Sequence, residues 1–599
     1  MKKRTRTKNR ILIYSIGILA VIAYTLLMDN TSFTDKKTSV ELCSILPKPN
    51  SAEMDEGLII LGVNSIIYYN NPELEPAARN IARDIYRLTG TLVPVSSKKD
   101  KYADIQLLLT EQLDRDEYQL NIRETIKVKA GGVQGAQLGC VSLAQLCISH
   151  LGKVAFPKAT ITDKPESEYR GLLLDLARQW HSIMDVKQVV EVCRWYKTNY
   201  LQLHLTDDQS FTFPSRAFPD LPTKGRSYTM EELRGLVKFA NQKGVTLIPE
   251  LEVPGHSKLM RKVEPFGLEG IHVINMLDEK VYEALDLLIG EMCDVFESSP
   301  YFHIGADECW MEGVGETQPE KEFMALNNLE DHHDIYNYFI VRMNEIVKKH
   351  GKKTLVWEGF KGQGSKNVSI PHDITVFAWE SLYQRPDSLL KNGYTMINAS
   401  WQPLYIVPHR SWEPEYIFNW NIYRFENWLD RAPSFNPIQL DSTSQIIGAQ
   451  MCAWENKPQY GLPAVMYRLP AMSDRCCIPT IAAGNFNYFD YRHKIQDTKL
   501  RKVLYPFDVK IEGLSFPGYI GEDQKKPYLF ADAVWINIKS HRDDITIRYT
   551  TDGRQPGTRD QAFTRELKIS DNASLKIQAF NEKGQLVGYP EWYPLEKNE

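Results

Sequence analysis

Short apolar segments alternate with amphipathic helical stretches between Arg170 and Arg475, and no other feature of the 599-residue chain constrains its fold as much. Helix signals punctuate the intervals, as where Thr229 precedes Glu232 by three positions and Gly244 follows the helix. Eight alternations of strand and helix predict an α/β fold, a (β/α)8 TIM barrel. The predicted strands are residues 171–175, 200–205, 245–250, 302–305, 354–357, 375–379, 395–399 and 446–452.

Acidic and aromatic side chains collect where these strands end, and in a (β/α)8 barrel that face carries the site. Aromatic faces stack on the apolar faces of pyranose rings, while carboxylates accept hydrogen bonds from sugar hydroxyls. The pattern therefore predicts a sugar-binding mouth. Its members are Asp175, Asp207, Glu250, Asp307, Glu308, Trp357, Trp379 and Trp454.

The adjacent acids Asp307 and Glu308 are the most informative members of this group. Neighbouring carboxylates at the end of a buried strand can be given different protonation states by their surroundings. The alternative is a cation site that also uses His303. The chain contains no His-Glu-x-x-His, no Cys-x-x-Cys and no Asp-x-Asp-x-Asp-Gly motif, so we predict no metal and no cofactor.

Four separated segments resemble the family 20 glycoside hydrolases, the β-N-acetylhexosaminidases. They are YRGLLLD (169–175), LHLTDDQSF (203–211), IPELEVPGHS (248–257) and HIGADE (303–308), in the order and spacing of the family. The resemblance implies an exo-acting enzyme that hydrolyses terminal β-linked N-acetylglucosamine or N-acetylgalactosamine from glycans. It also implies substrate-assisted retaining catalysis through an oxazolinium intermediate, without a cofactor.

The same resemblance implies the catalytic roles. Glu308 is expected to protonate the leaving oxygen and then to activate water. Asp307 is expected to hold the substrate acetamido group and to stabilise the charge that develops on it. Tyr405 matches the family tyrosine that hydrogen-bonds the attacking carbonyl oxygen, with Tyr383 and Tyr394 as neighbouring alternatives.

Further matches concern substrate binding. Arg170 matches the arginine that grips sugar hydroxyls through its forked donors, and a structural ion pair at the lower rim of the barrel is its alternative role. Asp207 and His256 resemble a hydrogen-bonded chain that leads to Glu308. Trp357, Trp379 and Trp454 are expected to wall the N-acetyl group and the sugar ring.

The sequence departs from the family pattern after the last tryptophan. The family places a glutamate two residues beyond it, where this chain has Asn456, and Glu455 stands one step earlier. We take both as substrate-binding candidates. The departure favours, as an alternative substrate, a modified sugar such as 6-sulfated N-acetylglucosamine, or a disaccharide unit. Ala306 also replaces the second glycine of the family motif.

The domain organisation follows from composition along the chain. Residues 1–10 carry six positive charges and lead into the uncharged run 11–28, which is either a signal peptide or a membrane anchor with its basic end in the cytoplasm. We therefore predict an exported protein, periplasmic or at the cell surface. A linker at 29–56, an N-terminal α+β domain at 57–165, the barrel at 166–500 and a C-terminal β-sandwich at 505–599 complete the prediction.

The remaining composition narrows the class of partner. The net charge of −5, with both signs interspersed, gives no reason to expect nucleic acid. Nine cysteines form no tight framework and predict no redox role. Two other functions stay open: a glycan-binding protein on an inactive barrel, and a barrel hydrolase that uses Glu250 or another acid as nucleophile. The sequence does not define an oligomeric state.

Overall fold

The structure is a computed structural model that describes residues 43–98, 103–267, 271–360, 365, 367–408, 410–429, 436–479, 484–516 and 528–598. Contacts separate Met1–Cys43 from Ser44–Glu599, and the second unit contains every element below. The predicted basic segment 1–10 and the signal or anchor at 11–28 lie outside the described residues. Among the residues that are described, no helix combines the length and hydropathy needed to cross a bilayer.

An α/β unit precedes the barrel. Its strands are β1 (Ser51–Ile60), β2 (Ile67–Tyr69), β3 (Val95–Ser96), β4 (Ile105–Leu109), β5 (Tyr118–Ile122), β6 (Ile126–Ala130), β7 (Ile148–His150) and β8 (Lys153–Asp163), and its helices are α1 (Glu75–Thr89) and α2 (Val133–Leu146). The strands form one mixed sheet in the order β1-β8-β5-β6-β4-β2-β3, with β7 beside β8. One predicted boundary differs, because β1 begins at Ser51, inside the linker expected at 29–56.

The barrel strands are β9 (Tyr169–Asp175), β10 (Tyr200–His204), β11 (Thr246–Val253), β12 (Tyr301–Gly305), β13 (Lys353–Trp357), β14 (Thr375–Ala378), β15 (Thr395–Asn398) and β19 (Ile446–Ala453); β16 (Tyr405–Ile406), β17 (Arg424–Phe425) and β18 (Ile438–Gln439) are short additions. All eight barrel strands pair in parallel, and β19 pairs with both β15 and β9, so the barrel is closed. The predicted barrel is confirmed. Its strands are buried almost throughout, as expected for parallel strands covered on both faces.

Helices surround the barrel and continue beyond it. They are α3 (Ile183–Trp195), α4 (Met230–Gln242), α5 (Glu279–Val295), α6 (Gln318–Leu326), α7 (His332–Lys349), α8 (Pro386–Lys391), α9 (Trp401–Leu404), α10 (Pro414–Asn419), α11 (Pro458–Cys477) and α12 (Phe486–Leu504), with 3-10 turns at Pro72–Leu74 and Met260–Lys262. The expected capping box of Thr229 and Glu232 is present, and Gly244 ends that region at φ 72°. Ser182 and Asp185 form a second capping box at the start of α3.

The C-terminal strands are β20 (Phe507–Phe516), β21 (Tyr528–Ser540), β22 (Ile545–Thr550), β23 (Gln561–Ala562), β24 (Leu567–Ile569), β25 (Ala573–Asn581) and β26 (Leu586–Lys597). They form one seven-stranded sheet in the order β20-β21-β26-β25-β22-β23, with β24 beside β21. Gly553 and Gly584 adopt positive φ, at 80° and 72°. All nine cysteines of the chain are free thiols.

Candidate active site

The carboxyl ends of the barrel strands bring the predicted acids together. Strand pairing sets His204 beside Asp175 on one side and beside Glu250 on the other. Asp307 and Glu308 follow the end of β12, the next strand around the barrel after β11. A buried aromatic layer lies beneath this mouth, so the site rests directly on the barrel core.

The backbone after β12 is held in an uncommon conformation. Gly305, Ala306 and Glu308 all have positive φ, at 68°, 68° and 46°. A Cβ at Gly305 would stand 2.0 Å from a carboxylate oxygen of Glu252, so only glycine fits there. His256 opposite is also left-handed, at φ 44°. Non-glycine residues in this region carry backbone strain that often accompanies function, and here it aims the two acids into the mouth.

A chain of side chains leads from Glu308 into the barrel. The His256 Nε2 lies 3.3 Å from the Glu308 Oε2, and the His256 Nδ1 lies 3.7 Å from the Asp207 Oδ2. That same Asp207 oxygen is 3.0 Å from the His204 Nε2, whose ring bonds Glu250 at 2.9 Å on its other side. Carboxylates and imidazoles therefore alternate along the chain, and Asp207 and His256 lie where the sequence predicts them.

Their environments shift the proton affinities in a consistent way. Burial alone would lower the pKa of His204, but Glu250 and Asp207 raise it to about 10. Burial alone would also lower the pKa of His256. The bond to Glu308 and the charges of Asp307 and Asp207 outweigh burial and raise that pKa. Despite burial, the His204 bond and the Arg178 charge lower the pKa of Asp207. The two imidazoles are thus favoured as cations on either side of Asp207, whose ionised form is itself favoured.

Asp307 differs sharply from its neighbour Glu308. The Glu308 side chain is 43% exposed, whereas the Asp307 Oδ1 is buried without a hydrogen-bond partner among the residues that the structure describes. Burial raises the pKa of Asp307, as does the charge of Glu308, while His256 and Arg178 oppose the rise. Below it, burial raises the pKa of Glu252 well above its usual range and so favours the neutral acid, which accepts the Ala306 N–H at 3.1 Å.

Glu250 is fully engaged inside the barrel. One of its oxygens accepts hydrogen bonds from His204 and from the Gln202 amide, at 2.9 and 3.0 Å, and the other accepts the Trp357 indole N–H at 2.8 Å. The residue has no exposed surface. Glu250 therefore cannot face a sugar as a nucleophile, which contradicts that role for it.

The arginine at the mouth is Arg178, and the prediction of Arg170 as the sugar-gripping residue is wrong. Arg170 is the second residue of β9, at the amino end of the barrel, where its buried guanidinium donates to the Ser167 and Lys197 carbonyls at 2.6 and 2.8 Å. Arg178 follows the carboxyl end of the same strand. It contacts Asp207 at 2.7 Å and lies 5.0 Å from the centre of the Trp454 ring.

The three predicted tryptophans and Tyr405 form one aromatic group. Tyr405 stacks on Trp379 with a ring separation of 6.2 Å and an interplanar angle of 15°, and Trp357 lies 5.9 Å from Trp454. Trp357 is only 1% exposed, so it forms the floor of the group, while Trp454 retains accessible surface. Burial raises the pKa of Tyr405 well above its usual range and keeps the phenol a donor. Tyr394 lies elsewhere, bonded to the Ile370 carbonyl.

Asn456 is a structural residue, which corrects its predicted contact with substrate. The buried Asn456 amide donates to the Ile406 and Trp454 carbonyls at 2.7 and 2.9 Å, so both of its hydrogens are used inside the loop. Glu455 is exposed with φ 59°, and its backbone N–H bonds the Asp175 carboxylate at 3.0 Å. Glu455 therefore has an exposed carboxylate, whereas the Asn456 amide is buried within the loop.

Sequence reasoning missed several groups around the mouth. Trp401 packs edge-on against Tyr405 at 5.5 Å and stacks on Trp428 at 4.8 Å, extending the aromatic group outward. A cavity of about 420 Å³ opens beside Glu308, with Trp310 and Tyr383 in its lining. Trp310 is 72% exposed. It comes soon after Asp307 and Glu308 in the sequence, and this position could have identified it as a candidate for the site.

Three sets of side chains place ligand atoms within 4.8 Å of one another: His204, Glu250 and Glu252; Asp207, Asp208 and His256; and His256, Asp307 and Glu308. His303, the histidine that the metal alternative requires, belongs to none of these sets among the described residues. The Gly305 N–H donates to its Nδ1 at 2.9 Å, and burial lowers the pKa of His303 to about 4. In the first set His204 and Glu250 are bonded to each other, and Glu252 accepts the Ala306 N–H.

Comparison with known proteins identifies the family of the chain. The model described as "Glycosyl hydrolase family 20, catalytic domain" matches residues 167–460, and "Glycosyl hydrolase family 20, domain 2" matches residues 42–164. The "Chitobiase/beta-hexosaminidase C-terminal domain" matches residues 529–587. The chain is 26% identical to a beta-hexosaminidase of Vibrio furnissii over 462 residues, which cover 70% of this chain and 73% of that protein.

Two further relatives extend the comparison. A beta-hexosaminidase of Porphyromonas gingivalis is 23% identical over 504 residues, covering 77% of this chain and 62% of that protein. The crystal structure of the beta-N-acetylhexosaminidase from Bacteroides fragilis shares the fold with a TM-score of 0.67 at 20% identity, covering 81% of this chain and 99% of that one.

The family models and the named relatives identify the chain as a glycoside hydrolase, and the closed barrel with its acidic and aromatic mouth fits that class. The two family models cover the N-terminal unit and the barrel, and the chain belongs to glycoside hydrolase family 20. This membership supports β-hexosaminidase activity.

Proposed function

We propose that the protein is an exo-acting β-N-acetylhexosaminidase that removes terminal β-linked N-acetylglucosamine or N-acetylgalactosamine by substrate-assisted, retaining catalysis. The observation that carries this proposal is the buried Asp307 Oδ1, which has no partner among the described residues. A solved Vibrio harveyi relative, described as an exo beta-N-acetylglucosaminidase in complex with N-acetylglucosamine, is consistent with it.

A buried carboxylate oxygen without a donor is costly, by about 1–3 kcal/mol. The N–H of a 2-acetamido group supplies the missing donor, and the bond would turn the acetamido carbonyl oxygen towards the anomeric carbon. Tyr405, kept protonated by its raised pKa, would donate to that oxygen. Asp307 would then face the positive charge that develops on the oxazolinium ring.

Glu308 is the proposed general acid and base. As the acetamido oxygen bonds the anomeric carbon, the bond to the leaving oxygen breaks and Glu308 gives that oxygen its proton. In the second step Glu308 takes a proton from water, whose oxygen bonds the anomeric carbon and reopens the ring. The His256 and Asp207 pair orients Glu308 and adjusts its proton affinity.

A mechanism with a protein nucleophile is less favoured. Glu250, the acid considered for that role, has both oxygens committed to hydrogen bonds inside the barrel. A substrate whose acetamido oxygen is the nucleophile needs no nucleophilic carboxylate from the protein. The hydrogen bonds that hold Glu250 inside the barrel therefore support substrate assistance. The intact chain from Glu308 to Glu250 also argues against a barrel that only binds glycans.

Substrate contacts follow from the same geometry. Arg178, with 17% of its side chain exposed, is the proposed ligand of the sugar hydroxyls, and Glu455 lies beside it as an outward carboxylate. The cavity next to Glu308 would receive the sugar on the leaving side, where the exposed Trp310 offers a stacking face.

The test is release of 4-nitrophenol from the N-acetyl-β-D-glucosaminide, its galacto epimer and its 6-sulfate by protein lacking residues 1–30, beside Glu308→Gln. Activity that falls at least a hundredfold in the variant supports the assignment of the acid. The ranking of the substrates decides between a plain and a modified sugar. Folded protein inactive on all three, and on an N-acetylated disaccharide, contradicts the proposal.

We further propose that residues 11–28 export the chain and hold it to a membrane, because they are uncharged and follow a basic segment. Cell fractionation of the full chain and of a chain lacking residues 1–30 tests this. Recovery of the full chain from the soluble cytoplasmic fraction contradicts it.

A further inference from the structure

A second cavity, distant in sequence from the barrel mouth, is lined by cations. It has a volume of about 490 Å³ and lies where the end of α1 and the end of α12 meet β20 and the turn after β21. Its charged lining comprises Arg87, Lys502, Lys539, His541, Arg542 and Asp508. Four permanent cations thus face one carboxylate.

The nearby carboxylates of Asp508 and Asp544 are already paired with basic side chains. The Asp508 carboxylate lies 2.9 Å from the His541 Nε2, and Asp544, outside the lining, accepts two hydrogen bonds from Arg542. Lys502 and Lys539 have no ion-pair partner within the described part of the chain. The cavity therefore keeps a surplus of positive charge.

Arg87 is the decisive group. Its Nη1 is buried without a hydrogen-bond partner, and its guanidinium forms no ion pair with any residue that the structure describes. Burial lowers the pKa of Arg87, and the nearby charges of Arg83 and Arg542 lower it further. Arg83, on the same helix, is instead compensated by Asp84 and Glu191. Arg87 is half-buried, and a partly desolvated cation left among other cations is unfavourable, so an anion would relieve it.

We propose that this cavity is an oxyanion-binding site, for a sulfate or phosphate group, with the Arg87 guanidinium as its principal ligand. Guanidinium groups bind tetrahedral oxyanions through paired hydrogen bonds, and Lys502 and Lys539 add point charges from the other walls. The bound group comes either as a free ion or as an ester on a saccharide.

Space for a larger molecule adjoins the site. A further cavity of about 540 Å³ shares Leu88, Ser149 and Lys502 with the first. Tyr491 lies in its lining and is 59% exposed, so this adjoining cavity offers an aromatic face. A sulfated sugar would place its ester at Arg87 and its ring in this adjoining space.

Titration calorimetry with sodium sulfate and sodium phosphate tests the site, at constant ionic strength set with chloride. Wild type is expected to bind saturably, and Arg87→Met to lose at least tenfold in affinity. Arg79→Met is the matched control, because Arg79 is on the same helix, 70% exposed and paired with Glu75. It should bind as wild type does.

Folding and catalysis are checked in the same variants. Arg87→Met removes a half-buried charge that has no ion pair among the described residues, so the variant should unfold at the same or a higher temperature and hydrolyse substrate at the wild-type rate. Binding of a 6-sulfated disaccharide more tightly than inorganic sulfate identifies a saccharide as the source, and equal binding identifies the free ion. No saturable binding by wild type, or equal binding by folded Arg87→Met, overturns the proposal.

Discussion

Replacement of Arg178 by methionine should reduce catalysis, whereas the same change at Arg170 should not. Both side chains are arginines of one segment, but they lie at opposite ends of β9. Arg178 touches Asp207 at 2.7 Å and faces the mouth, and Arg170 donates to two main-chain carbonyls at the amino end of the barrel. Methionine keeps the apolar stem of each side chain and removes the charge and the donors.

The expected magnitudes come from these contacts. A hydrogen bond to a charged group contributes about 1.5–3 kcal/mol, so loss of one Arg178 contact to the sugar should lower kcat/KM roughly 10- to 150-fold. Stability should fall by about 1.5–3 kcal/mol, because the buried Asp207 loses its contact with Arg178 but keeps the His204 bond. Arg170→Met leaves the Ser167 and Lys197 carbonyls without donors and should cost about 1–3 kcal/mol of stability, with kcat/KM within about twofold of wild type.

Both variants are assayed with 4-nitrophenyl N-acetyl-β-D-glucosaminide, and the folded fraction is measured by thermal unfolding in the same buffer. Normalisation to folded protein separates the two effects. If folded Arg170→Met loses as much activity as Arg178→Met, the placement of the sugar at the carboxyl ends of the strands is refuted.

Three further changes test the surroundings of the acids. His256 binds its proton more tightly in the folded protein than in the unfolded chain. Its contribution to the free energy of unfolding is therefore complete below pH about 6.5 and is lost as the pH rises through its raised pKa. His256→Gln should remove this pH dependence from the free energy of unfolding. Glu252 keeps its proton in the folded protein, so stability falls as pH rises above about 4.3, and Glu252→Gln should raise the melting temperature at pH 8 but not at pH 4. An unchanged pH dependence in either variant contradicts these shifts. Asn456→Ala removes the hydrogen bonds to the Ile406 and Trp454 carbonyls, of which the Ile406 carbonyl keeps the Trp454 N–H as a donor. The change should cost about 1–3 kcal/mol by denaturant unfolding with KM unchanged, and a large rise in KM would restore Asn456 as a sugar ligand.

The fold could be predicted because the barrel strands are short, apolar and separated by capped helices. Each predicted strand lies within three residues of its observed bounds, and Trp357, Trp379 and Trp454 end or follow their strands as expected. The N-terminal unit was harder to predict. Its long strand β8 (Lys153–Asp163) pairs with both β1 and β5, and such distant pairings leave no local periodicity that distinguishes them.

The errors at the site come from side-chain direction. Arg170 is a candidate because it belongs to a matching motif. Asp175 ends the strand, so Arg170 lies five residues before that end and Arg178 lies beyond it, at the mouth. The outward Glu455 and the inward Asn456 depend on a left-handed backbone at Glu455, which the sequence does not reveal because a non-glycine residue rarely adopts it. The link from His204 to Glu250 likewise needs two strands to be in register.

The central claim is that the substrate acetamido oxygen is the nucleophile, and fluorination of that group tests it most directly. Rates of hydrolysis are compared for 4-nitrophenyl glucosaminides that carry acetyl, fluoroacetyl, difluoroacetyl and trifluoroacetyl groups on nitrogen. Each fluorine withdraws electrons from the carbonyl oxygen, so kcat/KM should fall steeply along the series and be lost for the 2-hydroxy glucoside. A flat series, with comparable hydrolysis of the glucoside, would contradict the account and indicate a nucleophile supplied by the protein.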